Sequence, residues 1–78
     1  MIKYTPFWKT LAKSNESTYT LIHKHNKSSS IINRLKNNRG ITTTTIDDLC
    51  KLLHCRVEDI LVYEEDSNTK THNLLNDK

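Results

Sequence analysis

The chain has 78 residues, 35% of them hydrophobic and 27% charged, with one Gly, one Pro and a net charge of +3. That is room for one small helical domain with a polar tail, and it excludes a large enzyme core, a ligand-filled barrel or two lobes around a cleft. No apolar run approaches the ~20 residues that span a bilayer and no N-terminal signal pattern is present, so a cytoplasmic protein without a membrane partner is expected.

The first four residues, Met1 to Tyr4, are too short for a helix and suit a brief extended segment paired with Ile60-Leu61-Val62-Tyr63. A first helix is predicted over 5–14, capped by Thr5 with Pro6 at its first position, with Phe7, Trp8, Leu11 and Ala12 at helical spacing and a left-handed stop at Asn15. Ser17 caps a second helix over 18–25 with Leu21 and Ile22 inward, and Asn26 offers another left-handed stop. Ser28 caps a third helix over 29–37, in which Ile31, Ile32 and Leu35 face the core. Asn38 to Ile41 is a turn holding the only glycine, Gly40. The run Thr42-Thr43-Thr44-Thr45 reads as a linker ending in a cap at Thr43 or Thr44. It leads into a fourth helix over 45–54 with Asp47 completing a capping box and Ile46, Leu49, Cys50, Leu52 and Leu53 inward. A fifth short helix is predicted over 57–62, starting from Cys55 or Arg56. The organisation is one domain over 1–63 and a polar, disordered tail over 64–78.

Charge is unevenly placed along these elements. Residues 17–46 hold Lys24, Lys27, Arg34, Lys36 and Arg39 with no acid, whereas 47–66 hold seven acids against Lys51 and Arg56. A basic middle beside an acidic end suits a polyanion-binding module with one working face.

That face is predicted in residues 18–37, where a short helix, a tight turn and a second short helix give helix-turn-helix spacing, the arrangement that lays its second helix in a DNA major groove. Its outer residues are Ser29, Ser30, Asn33 and Arg34. Arg34 can bond guanine O6 and N7 in a bidentate pair, Asn33 can do so with adenine, and the serines reach base edges or phosphates. Thr18, Lys27, Ser28, Lys36 and Arg39 are placed to hold phosphates.

These residues resemble the Cro/C1-type (Xre) helix-turn-helix family of bacterial and phage regulators, across about residues 2–63. The resemblance is carried by Ile2-Lys3-Tyr4, Trp8-Lys9, Tyr19-Thr20-Leu21-Ile22 and Ser28 through Asn37. It is carried most strongly by Ile46 through Leu61, both cysteines included. It implies an all-α, lambda repressor-like domain of five short helices with a short extended N-terminal segment. It also implies transcriptional regulation, with a repressor the expected sign, and often dimeric binding to inverted repeats. By position, it implies base reading by Ser29, Ser30 and Arg34 with Asn33 beside them, phosphate contact by Thr18 and Arg39, and a backbone N–H donated to phosphate by Asn38. The family usually has Gly where Asn26 stands and often where Asn38 stands, and a long base reader, often Gln, in place of Ser29 and Ser30.

Other groups carry no competing chemistry. Cys50 and Cys55 are too few for a disulfide framework and lack the paired spacing of a four-ligand zinc site; the family carries them as small core residues. His23 and His25 fall on different helix faces and read as surface groups near the DNA. Asp47-Asp48 and Glu58-Asp59 stand at helix starts, where they favour the dipole. The expected partners are therefore double-stranded DNA and a second copy of the chain, with no catalytic residues, metal, cofactor or small-molecule ligand. The alternative is a protein-interaction module, such as an antitoxin or phage-derived adaptor, that keeps the fold with weak or no DNA binding.

Overall fold

A computed structural model of the chain describes residues 1–65; the predicted tail therefore lies, from residue 66 on, outside the described residues. In order, the elements are β1 (Ile2–Lys3), α1 (Thr5–Lys13), α2 (Thr18–His23), α3 (Ser29–Lys36), α4 (Thr43–Leu53), a single 3-10 turn (Val57–Asp59) and β2 (Val62–Tyr63).

Helix starts follow local side-chain chemistry where a hydroxyl is in reach. Ser17 Oγ accepts the Thr20 N–H while Thr20 Oγ1 accepts the Ser17 N–H, a reciprocal cap on α2. Ser28 Oγ accepts the Ile31 N–H at the start of α3. α1 differs from expectation. It begins at Thr5, the first residue of the expected range, but Tyr4 rather than Thr5 holds the cap position and there is no side-chain cap. The Phe7 N–H donates instead to the Ile60 carbonyl at 3.1 Å, so a distant segment supplies the acceptor that Thr5 was expected to provide. α4 begins two residues early, at Thr43, because Thr42 is the cap: its Oγ1 accepts the Thr45 N–H at 3.1 Å. Asp47 therefore joins no capping box and pairs with Lys51 at 3.2 Å.

Helix ends show which residues accept the left-handed conformation. Asn26 (φ 59°), Asn38 (φ 54°) and His54 (φ 55°) take it, and Asn15 does not. α1 stops at an extended Ser14 whose hydroxyl and N–H both donate to the Leu11 carbonyl, so no left-handed residue is needed. α2 ends at His23, two residues before expectation, as Lys27 N–H closes back on the Leu21 carbonyl.

The fifth helix of the sequence reading is one 3-10 turn, giving four α-helices among the described residues. The Asp59 carboxylate accepts the Arg56 N–H, Ile60 is fully buried and Val57 is 53% exposed. The chain leaves the turn here because the next residues are taken by a sheet. β2 pairs antiparallel with β1, Ile2 opposite Tyr63 and Lys3 opposite Val62. The ends of this ribbon are tied by backbone bonds between Met1 and Glu64 and by a Lys3–Glu64 ion pair at 3.3 Å.

Every α-helix contributes to one core. Tyr4, Phe7, Leu11, Leu21, Ile32, Leu35, Leu49, Leu53 and Ile60 are buried, and Ile22, Ile31, Ile41, Cys50, Leu52, Cys55 and Leu61 pack against them. Trp8 covers one side, its ring edge-on to Phe7 at 4.8 Å. Burying Leu21 with Ile32 and Leu35 fixes α2 against α3, which holds the remaining faces of α3 outward.

Candidate nucleic-acid interface

α3 points Ile32 and Leu35 into the core, and its 3.6-residue period turns Ser29, Ser30, Asn33, Arg34 and Lys36 to solvent. Thr18 and Ile22 of α2 join Ser29, Ser30, Asn33 and Lys36 in lining one open depression where the two helices meet. No carboxylate among the described residues lines this depression. Five of the expected contact residues are thus brought together.

Arg34 lies on the other flank of α3. It borders a second hollow with Ser30, Ile31 and residues 40–42, and its Nη1 donates to the Gly40 carbonyl at 3.1 Å. Ser30 borders both hollows and joins them. Asn33 is held by Asn37, whose Nδ2 donates to the Asn33 carbonyl at 2.9 Å and to Asn33 Oδ1 at 3.1 Å. Asn37 is not among the expected contact residues, although its i, i+4 spacing from Asn33 is visible in the sequence.

The turn after α3 is set from the far end of the chain. Asn38 Oδ1 accepts the Tyr4 N–H at 3.0 Å, the Tyr4 hydroxyl donates to the Arg39 carbonyl at 2.7 Å, and the Arg39 N–H donates to the Arg34 carbonyl at 2.8 Å. The Asn38 side chain is therefore committed inward. No acceptor among the described residues takes its backbone N–H. Arg39 keeps its side chain exposed. No property of the sequence around Tyr4 marks it as a partner of residues 34 and 35 positions away.

Two of the expected phosphate positions also make contacts within the fold. Lys27 is drawn to α4, with Nζ 3.5 Å from Asp48 Oδ2 and most of its side chain covered, so it does not join the α2–α3 depression. Ser28 spends an oxygen lone pair on the α3 cap and retains its O–H as a donor. The histidines differ from expectation. Of His23 and His25, His25 is half-buried against Glu16 at 3.2 Å and His23 stays at the surface, its ring 4.3 Å from Tyr19. The Glu16 carboxyl is held below its ordinary range, first by the Thr20 hydroxyl that donates to it at 2.7 Å and then by His25.

Among the described residues no group of three or more His, Cys, Asp or Glu side chains is arranged to hold a metal ion. No helix among them is long and apolar enough to cross a membrane. Comparison with curated proteins and with solved structures finds no match. Comparison with family models does find one. The model for the Cro/C1-type HTH DNA-binding domain matches residues 7–66. That span covers most of the chain and includes α2, the turn and α3 in the arrangement described above, and the chain belongs to the Cro/C1-type helix-turn-helix DNA-binding family.

Proposed function

We propose that this chain is a sequence-specific transcriptional repressor that lays α3 in the major groove of duplex DNA. The observation that carries this reading is the acid-free grouping of Thr18, Ser29, Ser30, Asn33 and Lys36 around the meeting of α2 and α3, with Arg34 and Arg39 beside it.

In this mechanism Ser29 and Ser30, near the start of α3, meet base edges first. Their short hydroxyls reach bases directly at close approach or through ordered water. Asn33 supplies a donor and an acceptor for adenine. Arg34 exchanges its bond to the Gly40 carbonyl for a bidentate bond to guanine, an exchange that costs about 1 kcal/mol before the new contact forms. Thr18, Ser28, Lys36, Arg39 and the backbone N–H of Asn38 hold phosphates on either side of the groove and fix the register of α3. One module of this size buries little surface, so tight binding calls for two copies on an inverted repeat, one helical turn of DNA apart.

The test is fluorescence anisotropy on a duplex across a salt series. Each neutralised phosphate contributes about −0.9 to the slope of log K against log salt. A slope equivalent to about three to six contacts, reduced in an Arg34→Ala/Arg39→Ala variant, supports the reading. Absence of binding at low salt overturns it in favour of a protein-interaction module.

A further inference from the structure

α4 ends in a tight reversal that brings together two residues for which the DNA-binding reading has no use. His54 takes the left-handed conformation, and the N–H groups of His54 and Cys55 both point back to the Cys50 carbonyl, Cys55 at 3.0 Å. With that bond made, standard bond lengths keep the Cα atoms of Cys50 and Cys55 within about 7 Å of each other. Both are free thiols, both are half-buried, and both open into one hollow whose apolar walls are Ile46 and Val57. The Cys55 thiol is pushed up to about 11, first by burial and then by the Cys50 side chain beside it, so it stays protonated at neutral pH. None of the residues lining this hollow belongs to α2 or α3.

Among the described residues the two thiols are not part of any group of three or more His, Cys, Asp or Glu side chains arranged to hold a metal, and the pair matches a ligand that needs two sulfurs and an apolar pocket. We propose that Cys50 and Cys55 form a dithiol site for trivalent arsenicals carrying one apolar substituent, with Ile46 and Val57 receiving the substituent. In the reaction two As–S bonds form and the As–O double bond of the R–As=O reagent is lost. The two thiol protons leave with that oxygen as water. Arsenic stays trivalent and no electrons are transferred. The second As–S bond closes within one molecule, so it forms at a high effective concentration and resists competing monothiols.

The test uses the full chain and phenylarsine oxide, followed by intact-mass spectrometry in excess glutathione. One phenylarsenic unit is expected on the wild-type chain, released by a small dithiol such as dimercaptopropanol, and absent from both Cys50→Ser and Cys55→Ser. Retention by either single-cysteine variant, or no adduct on wild type, overturns the site. A second measurement depends on the wild-type chain alone. The adduct is expected to raise the melting temperature, as a ligand of the folded state does, and an unchanged or lowered temperature overturns the site because the reagent then reacts with the unfolded chain. Inorganic arsenite, which lacks the substituent, is expected to bind roughly tenfold more weakly than phenylarsine oxide; equal affinity overturns the role of Ile46 and Val57.

Discussion

The Tyr4 hydroxyl donates to the Arg39 carbonyl at 2.7 Å, joining the residue before α1 to the turn after α3. Tyr4 is 3% exposed, so this bond is shielded from water and its loss leaves a carbonyl poorly solvated. Tyr4→Phe keeps the ring in the core and removes only the donor. The expected outcome is a loss of about 1 kcal/mol of stability, measured by chemical denaturation, with faster hydrogen exchange at the Arg39 amide.

The geometry separates three cations that look equivalent in the sequence. Lys36 is exposed at the α2–α3 depression, whereas Lys27 is engaged by Asp48. Lys36→Ala is expected to lower the salt slope of DNA binding by about 0.9, and Lys27→Ala to leave it unchanged. Arg34→Ala is expected to cost about 1–3 kcal/mol on the preferred site and to relax the choice of one base, read by selection from a randomised duplex pool.

Ser28 allows capping and DNA contact to be told apart. Aspartate caps a helix as well as serine does, so Ser28→Asp is expected to keep the melting temperature within a degree or two while weakening DNA binding at least tenfold through repulsion of phosphate. Ser28→Ala is expected to lower stability by about 1 kcal/mol. Circular dichroism melts and anisotropy titrations on both variants check this.

The Glu16 carboxyl, held below its ordinary range by the Thr20 hydroxyl and His25, makes a contribution with a definite pH window. Its folded-state value lies below its unfolded one, so the carboxylate stabilises the fold above the ordinary value of 4.5, and that stability is lost as the pH falls through the lowered value. Glu16→Gln is expected to flatten the stability profile on the acid side of the ordinary value of 4.5. A steeper acid limb in the variant than in wild type would contradict the assignment.

His54 holds a left-handed conformation at φ 55° that costs a side chain with a β-carbon roughly 1 kcal/mol. His54→Gly is expected to raise stability by up to about that amount, less the extra freedom glycine gains on unfolding, as measured by urea denaturation.

Much of this was legible along the chain. Ser17 and Ser28 declare the starts of α2 and α3 because a hydroxyl and the N–H three residues on are neighbours whenever a helix begins there. Leu21, Ile32 and Leu35 declare the buried faces, and the outward positions of Ser29, Ser30, Asn33 and Lys36 follow from them by the helical period alone. The pairing of residues 1–4 with 60–63 was legible as two short apolar segments, and β1 and β2 form it.

Other features are choices among residues that look alike in the sequence. Asn15, Asn26 and Asn38 look alike locally, yet only the last two are left-handed, because the Ser14 side chain ends α1 without such a turn. Four consecutive threonines offer equivalent caps, and Thr42 is the one used once Leu49 and Leu53 are buried. The segment after Arg56 has helical spacing, but the pairing of Val62 and Tyr63 with β1 stops it after one turn. The Lys27 side chain reaches toward α4 because Asp48 is across from it. What the sequence determined by itself were the interactions made within one turn of helix, where spacing dictates proximity. The register of Thr42, the extent of the last turn and the direction of Lys27 were decided by the tertiary structure, because each is a choice among locally equivalent options that only a distant partner distinguishes.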